Sequence, residues 1–405
     1  MRTIGISPKS ISAKKIIYPH SFVDTLLKQT PIQKTFRVKR KPLTDVLTIH
    51  LAVIGHGTVG GTFIEQVLKQ RDTIYRRKNI DLRIFAVANT QQLLLKAEGI
   101  STEWRAEKQM QPTIHNPIRR IVEFAHCHKL ENLIMIDNTA SKEIALRYAY
   151  FAENGFDIVS SNKIANTLSA KHYKTLRQTL NTHHKRYYYE TNVGAGLPLI
   201  DTIRLLHLSG ENITCIKGIF SGSLSYIFNR FSQEDTSFSA ILHDAIRLGY
   251  TEPDPREDLC GNDVARKLLV LARELDFDSE LEDIEVFNLV PKPLRKLSFD
   301  KFLMESENLN AYFDEIKKHC PSDHVLRYIG ELHWDLEDEK GSLEVKLTCV
   351  PRNSVMGQLK DADSIFEIFT DSYGANPLVI QGAGAGAEVT ARGVFGDVLR
   401  LISKE

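Results

Sequence analysis

An α/β fold is what this 405-residue sequence predicts, with a parallel, doubly wound sheet in the first part and an α+β arrangement in the second. Three observations predict it. Apolar, β-branched runs of strand length alternate with segments of helical spacing from Leu47 to about residue 190, as successive βαβ units require. A glycine-rich turn, "GHGTVGG", stands between the first strand and the first helix. Beyond Gly196 the alternation stops, and strands and helices are interspersed.

Each element follows from its own pattern. "LTIHLAVIG" (47–55) is the first strand, and "TFIEQVLKQRDTIYRR" spaces Phe63, Val67 and Ile74 on one helical face. "DLRIFAVAN" (81–89) is the second strand. After a weakly patterned stretch, "NLIMIDNTA" (132–140) is the third. "SKEIALRYAYFAENG" is a helix closed by Gly155. "FDIVSSNK" is a strand, "SAKHYKTLRQTLNTHHK" a helix, and "RYYYETNVGAG" a strand running into glycines. Helices are expected near 197–208, 222–231, 236–248 and 258–275, and strands at "NITCIKGIFSG", "HVLRYIGELHWDL" and "SLEVKLTCV". The strand "NPLVIQG" and the helix from "AGAGAEVTARG" onward close the chain, the helix returning to the first domain. The reading divides the chain at 1–46, 47–189 (completed by 376–405) and 190–375.

Composition narrows the function. Net charge is +1, so no global field selects nucleic acid or a membrane surface. No apolar run approaches the roughly 18 to 20 residues that spanning a bilayer takes. Cys127, Cys215, Cys260, Cys320 and Cys349 are scattered without a CxxC pair, and read as reduced thiols of a cytoplasmic protein. Residues 1–45 carry ten Lys or Arg against Asp24 and Asp45 alone, a basic extension compatible also with an organellar transit peptide.

Gly55-x-Gly57-x-x-Gly60 gains meaning from the strand before it and the helix after it. Gly55 allows the tight turn, Gly57 lets backbone approach a pyrophosphate, and Gly60 permits close packing. With the intervening Thr58 and Val59 they form the expected dinucleotide contact of a Rossmann-type domain. The second strand ends at Asn89 with no acid to accept from a ribose 2′-hydroxyl, which favours NADP(H) while leaving NAD(H) possible. Lys96 is either a phosphate ligand or a solvated lysine. "HCHK" (126–129) lacks a second ligand pair and reads as helix surface. In "GNDVARKLLVLAREL", Val264, Leu268, Leu271 and Leu275 form an apolar stripe, with Asp263 and Lys267 four apart on its flank. An exposed ion pair and a substrate-facing pair both fit that spacing.

"GYTEPDPREDLCGNDVARK" (249–267) resembles the signature of homoserine dehydrogenases. "SNKIANT", "ETNVGAGLP", "GIFSGSLSYIF" and "GAGAEVTARGVFGDVLR" resemble the family's other blocks, in order, over about residues 48–405. The likeness is closest to the dehydrogenase half of bifunctional aspartokinase–homoserine dehydrogenases. It implies NAD(P)H-linked interconversion of L-aspartate 4-semialdehyde and L-homoserine, in threonine and methionine biosynthesis. It further implies Lys267 as acid/base and Lys163 as the lysine that orients the carbonyl and touches the cofactor. Glu252 and Asp263 would hold the substrate ammonium, and Thr139 and Gly386 would add cofactor contacts. Glu190 with Val193, Ala195 and Leu197 would hold a structural sodium-like cation, and residues 190–375 would carry catalysis and a homodimer contact. The alternative is a non-catalytic NAD(P)-sensing regulatory protein on the same fold.

Overall fold

The computed structural model describes residues 46–114, 116–335 and 340–402. The basic extension expected at 1–46 lies, but for Val46, outside them. The described residues belong to one compact unit. Its strands are β1 (Leu47–Ile54), β2 (Ile80–Ala88), β3 (Leu93–Leu95), β4 (Leu133–Asp137), β5 (Phe156–Ser160), β6 (Tyr187–Tyr188), β7 (Ile213–Ile219), β8 (Glu285–Val286), β9 (His324–Asp335), β10 (Lys340–Pro351), β11 (Ser364–Thr370) and β12 (Leu378–Gly382). Its α-helices are α1 (Thr58–Lys78), α2 (Trp104–Gln109), α3 (Pro117–Cys127), α4 (Lys142–Ala145), α5 (Tyr148–Glu153), α6 (Ile164–Thr167), α7 (Ala170–Thr182), α8 (Leu199–Leu208), α9 (Gly222–Gln233), α10 (Phe238–Arg247), α11 (Arg256–Leu259), α12 (Asn262–Glu274), α13 (Phe299–Met304), α14 (Asn308–His319) and α15 (Ala387–Ile402).

Two sheets organise the chain. The first has the order β3-β2-β1-β4-β5-β6, parallel except for the short antiparallel edge β3. Alternate residues of β1 serve opposite faces, as the pleat dictates. Ile49, Leu51 and Val53 meet Phe63, Ile64 and Val67 of α1 and Val394, Phe395 and Val398 of α15. Ala52 and Ile54 join the cluster that contains Ile121 and Val122 of α3. Burial on both faces explains why these strands read as nearly continuous apolar runs. The strand order reverses between β1 and β4, and ligands of open α/β sheets bind at such a point, beyond the carboxyl ends of the strands.

The second sheet has the order β12-β11-β7-β9-β10-β8 and is antiparallel apart from the β8–β10 pair. Ile216, Tyr328 and Phe366 on its inner side share a core with α9, α10 and α12. Residues 376–382, grouped with the first domain on sequence, place β12 at the edge of this second sheet, paired with β11. The α15 helix alone returns to the first sheet. There it crosses the 190–196 loop at backbone distance, since a Cβ on Gly393 would lie 2.5 Å from Thr191 Cγ2 and 3.1 Å from Gly196 Cα.

Other expectations need adjusting. The helix expected over 258–275 is two, because Gly261 takes φ +79° between α11 and α12. The helix expected over 141–155 divides into α4 and α5. Cys320 and Cys349 are joined as a disulfide, with Cα atoms 5.8 Å apart, while Cys127, Cys215 and Cys260 are free thiols. No helix of the described residues is long and apolar enough to cross a membrane.

The glycine crossing sets a packing test. Gly393→Ala should destabilise the fold by about 1–3 kcal/mol, as other forced insertions into packed sites do. A urea unfolding midpoint equal to that of the unaltered chain would show that the 190–196 loop yields to a methyl group.

Candidate active site

The glycine turn sits at the carboxyl end of β1. Gly55 holds φ +83°, and a Cβ on Gly60 would stand 1.9 Å from the Gly55 carbonyl oxygen, so both positions require glycine. Gly57 caps α1 and has no atom within 4 Å of where its Cβ would be, which leaves the helix N-terminus open to a ligand. Thr58 and Val59 form the first turn of α1 behind it. Two buried polar atoms beside this opening have no protein partner: His56 Nε2 and Asn138 Nδ2. An open helix terminus with orphaned donors around it fits a pyrophosphate.

Cations that the sequence analysis did not single out surround the turn. Burial lowers the His56 pKa, and Lys108 and Arg105 lower it further. The guanidinium of Arg105 lies 4.5 Å from the Trp104 ring centroid, and a Cβ on Gly61 would be 3.0 Å from its Nη2. Lys108 donates to Gln92 Oε1 at 3.0 Å, at the end of β2, where Asn89 Oδ1 accepts from the backbone of Gln91 and Gln92. Lys96, weighed above as a phosphate ligand, is instead paired with Glu107 at 2.6 Å. Arg105 and Lys108 belong to the six-residue α2, too short to show a helical period.

At the ends of β4 and β5 a buried network fixes the chain. Asp137 accepts from Thr139 N at 2.8 Å, Tyr148 Oη at 2.7 Å and Asn162 Nδ2 at 2.9 Å. Burial raises its pKa, and these hydrogen bonds oppose the rise. Asn162 Oδ1 in turn accepts from Ile164 N, so the backbone on both sides of Lys163 is held. Ser161 donates to Asn138 and ties this segment to the one carrying Thr139.

From there Lys163 reaches across to the second part of the molecule. Its Nζ lies 2.6 Å from Asp263 Oδ1, and Lys267 Nζ lies 2.9 Å from Asp263 Oδ2. Lys267 also donates to the Phe220 carbonyl at 2.8 Å, just past β7. Burial resists ionisation of Asp263, yet Lys267 and Lys163 prevail and hold its carboxyl well below the usual range. Burial pulls the Lys163 ammonium down; Asp263 opposes this, and Lys267 and Arg266 add to it. The Asp263 side chain is 43% exposed, so the cluster is open to solvent on one side. The spacing of Asp263 and Lys267 thus forms part of a buried-edge cluster, with Lys163 as a third member from 100 residues earlier.

Asp263, expected on a substrate ammonium, has both oxygens engaged by lysines. Asp258 accepts from Ser223 Oγ at 2.7 Å and Glu252 N at 2.8 Å. Burial raises its pKa, and the nearby charges of Glu252 and Asp263 add to the rise. Glu252 is exposed. Asp254 and Arg256 pair with each other and brace the turn through the Leu297 carbonyl, a scaffold role. The "SGSLS" segment contributes Ser221, which caps α9, and Ser223. Gly386 takes φ +116° just ahead of α15. The loop before it passes the start of α9, where Ala385 Cβ is 3.6 Å from the Cβ position of Gly222.

The loop assigned to a cation has a different disposition from the one implied. Both Glu190 oxygens accept from the N-terminus of α8, at Ile200 N (2.7 Å) and Asp201 N (3.0 Å). Burial and the acids Asp201 and Asp397 push its carboxyl up to about 9. The Leu197 carbonyl accepts from Leu199 N. Val193 and Ala195 are buried, and Ala195 holds φ +54°. The donor set therefore fits an ion only in part.

With the geometry in place, likeness to known proteins decides the family. Residues 198–399 match the family model for homoserine dehydrogenase, and residues 55–190 match that for the homoserine dehydrogenase NAD binding domain. The chain is 36% identical to the Saccharomyces cerevisiae homoserine dehydrogenase, over 88% of this chain and 98% of that one. This chain belongs to the homoserine dehydrogenase family. It is also 37% identical to the bifunctional aspartokinase/homoserine dehydrogenase of Buchnera aphidicola, over 95% of this chain and 46% of that protein. It spans about half the length, or less, of such bifunctional relatives. Among solved structures, a Candida auris protein of unknown function matches with TM-score 0.79 and 32% identity, over 87% of this chain and 98% of that one. A hyperthermophilic archaeal homoserine dehydrogenase solved with NADPH shares the fold, with TM-score 0.66 and 19% identity over 88% and 98% of the two chains.

The cluster yields a titration test. Asp263→Asn removes the anion that sustains Lys163 as an ammonium, so Lys163 should titrate at lower pH than in the unaltered chain. NMR of carbon-13-methylated lysines against pH measures it, and an unmoved Lys163 signal would show that Asp263 does not govern its charge.

Proposed function

We propose that this chain is an NAD(P)H-dependent homoserine dehydrogenase, interconverting L-aspartate 4-semialdehyde and L-homoserine. The observation behind the reading is the Lys163–Asp263–Lys267 cluster, built where the family's sequence signature falls and anchored to the end of the sheet that bears the glycine turn. The bound nicotinamide nucleotide supplies or accepts the hydride. The chain supplies the proton and the orientation. Lys267, held between the Phe220 carbonyl and Asp263, presents N–H groups to the oxygen that becomes the homoserine hydroxyl. In reduction it gives that oxygen a proton; in oxidation it takes one back. Lys163 steadies the same oxygen from the nucleotide side, and a positive charge there offsets developing alkoxide. Glu252 and Asp258 offer carboxylates to the substrate ammonium, and Asp263 keeps the two lysines together instead.

NADP(H) is the favoured cofactor in this proposal, with NAD(H) possible, because Asn89, just past β2, stands where an acid would otherwise repel a 2′-phosphate, and α2 brings Lys108 to the neighbouring Gln92 and Arg105, paired with Glu65, to the glycine turn. A sodium-like ion remains part of it only as a structural ion on the Val193 and Ala195 carbonyls, and no step depends on it. A homodimer through the 190–375 part of the chain and a cytoplasmic location complete the reading. The non-catalytic sensor has no observation in its favour.

Mixing the chain with NADP and L-homoserine should produce near-ultraviolet absorbance of the reduced cofactor; none with either NADP or NAD would end the proposal. Lys267→Ala should lower kcat by about 10²–10⁴-fold, the usual worth of a positioned acid/base, while NADPH binding by fluorescence persists. Arg105→Ala should weaken NADPH more than NADH. Equal losses for the two would place that guanidinium on the shared pyrophosphate.

A further inference from the structure

The outer face of the second sheet carries chemistry that the dehydrogenase reading does not use. Antiparallel pairing of β7 with β9 sets Cys215 opposite His333 and Lys217 opposite Glu331. The two-residue period of a strand then puts Cys215, Glu331 and His333 on one face. Cys215 Sγ is 3.9 Å from His333 Nε2, and that nitrogen is 2.9 Å from Glu331 Oε1. One ligand atom from each residue lies within 4.8 Å of the others. The group borders a concavity of about 720 Å³.

We propose that Cys215, Glu331 and His333 bind a divalent ion of zinc-like preference, away from the catalytic lysines. Thiolate, imidazole and carboxylate together are the donors such an ion takes, and three protein ligands leave a fourth position for water. Bond lengths near 2.3 Å to sulfur and 2.0–2.1 Å to nitrogen span a tetrahedral edge of about 3.5 Å. Two of the separations, 3.9 and 2.9 Å, bracket that figure and the third lies within 4.8 Å, so an ion would draw the three donors into a tetrahedral edge. The outer partners fit as well. Glu331 Oε2 is held by Lys346 at 2.6 Å, leaving Oε1 for the ion. Lys217, the nearest competing cation on β7, is drawn toward Glu367 on β11 at 3.4 Å. A thiol binds such an ion as thiolate, so binding releases a proton and affinity rises with pH.

The test uses the full chain with Cys127→Ser, which removes an exposed thiol beside two histidines. Titration with Co²⁺ should give a thiolate-to-cobalt band saturating at one ion per chain, and Zn²⁺ should erase it. Adding Cys215→Ser should abolish the band. His333→Ala, at the exposed end of the group, should weaken binding beyond the roughly 10- to 100-fold that an outer-shell partner is worth, and it provides the test should the buried Cys215 variant not fold. Absence of the band, or a band that survives both substitutions, overturns the proposal. Homoserine oxidation by His333→Ala should match that of the unaltered chain, which separates this site from the catalytic one.

Discussion

Two lysines that must share one small volume need an anion between them, and Asp263 is that anion. Its two oxygens take Lys163 from the first sheet's side and Lys267 from the same helix, one on each. Much of the surrounding structure serves this placement. The left-handed Gly261 lets α12 begin at the angle that aims Asp263 and Lys267 together, and a Cβ there would collide with the Tyr328 hydroxyl. The Asp137–Asn162 network keeps Lys163 from relaxing away from its like-charged neighbour. Burial alone would turn Lys163 toward its neutral form, so the carboxylate determines how much charge the cluster holds.

A second charged group holds the seam between the sheets. Arg400 of α15 meets Asp201, Asp397 and Glu190, and Asp397 accepts from Glu190 N at 2.9 Å. Three acids around one guanidinium cannot all ionise cheaply when buried, and both Glu190 and Asp397 are pushed up, the latter to about 7. Glu190 spends its oxygens on the α8 N-terminus, a use that suits a carboxyl group in that position. This is why the residue that looked like an ion ligand by resemblance has a structural duty in the fold.

The parallel sheet was legible because both its faces are buried, so β1, β4 and β5 read as apolar runs with turn residues at their ends. The glycine turn was legible because Gly55 and Gly60 have no steric alternative. The edge strand β3 and the six-residue α2 were not, being shorter than the periods that would reveal them. Neither was β11, whose "SIFEIFT" carries Glu367 in the middle of its short apolar run, a charge that Lys217 of β7 meets across the sheet. At the site, the family resemblance supplied Lys163 through "SNKIANT" and Asp263 and Lys267 through residues 249–267, while spacing alone left an exposed ion pair equally open. What no spacing could show was that Asp263 would face Lys163 as well as Lys267, because that contact spans 100 residues. The Cys320–Cys349 pairing, 29 residues apart in sequence, was hidden for the same reason.

The chain passes between the two sheets twice, once through residues 189–198 and again through the 382–387 loop, and the two passages touch where Gly196 meets α15. The seam is fastened elsewhere as well: buried Arg273 of α12 donates to the Asn166 and Leu168 carbonyls, and one apolar core runs through both parts. Backbone against backbone at Gly393 and Gly196 leaves no slack for a side chain to take up. The spacing of Lys163 and Lys267 is therefore set at the seam as well as at Asp263, and a methyl group added at the crossing would be felt at the lysines.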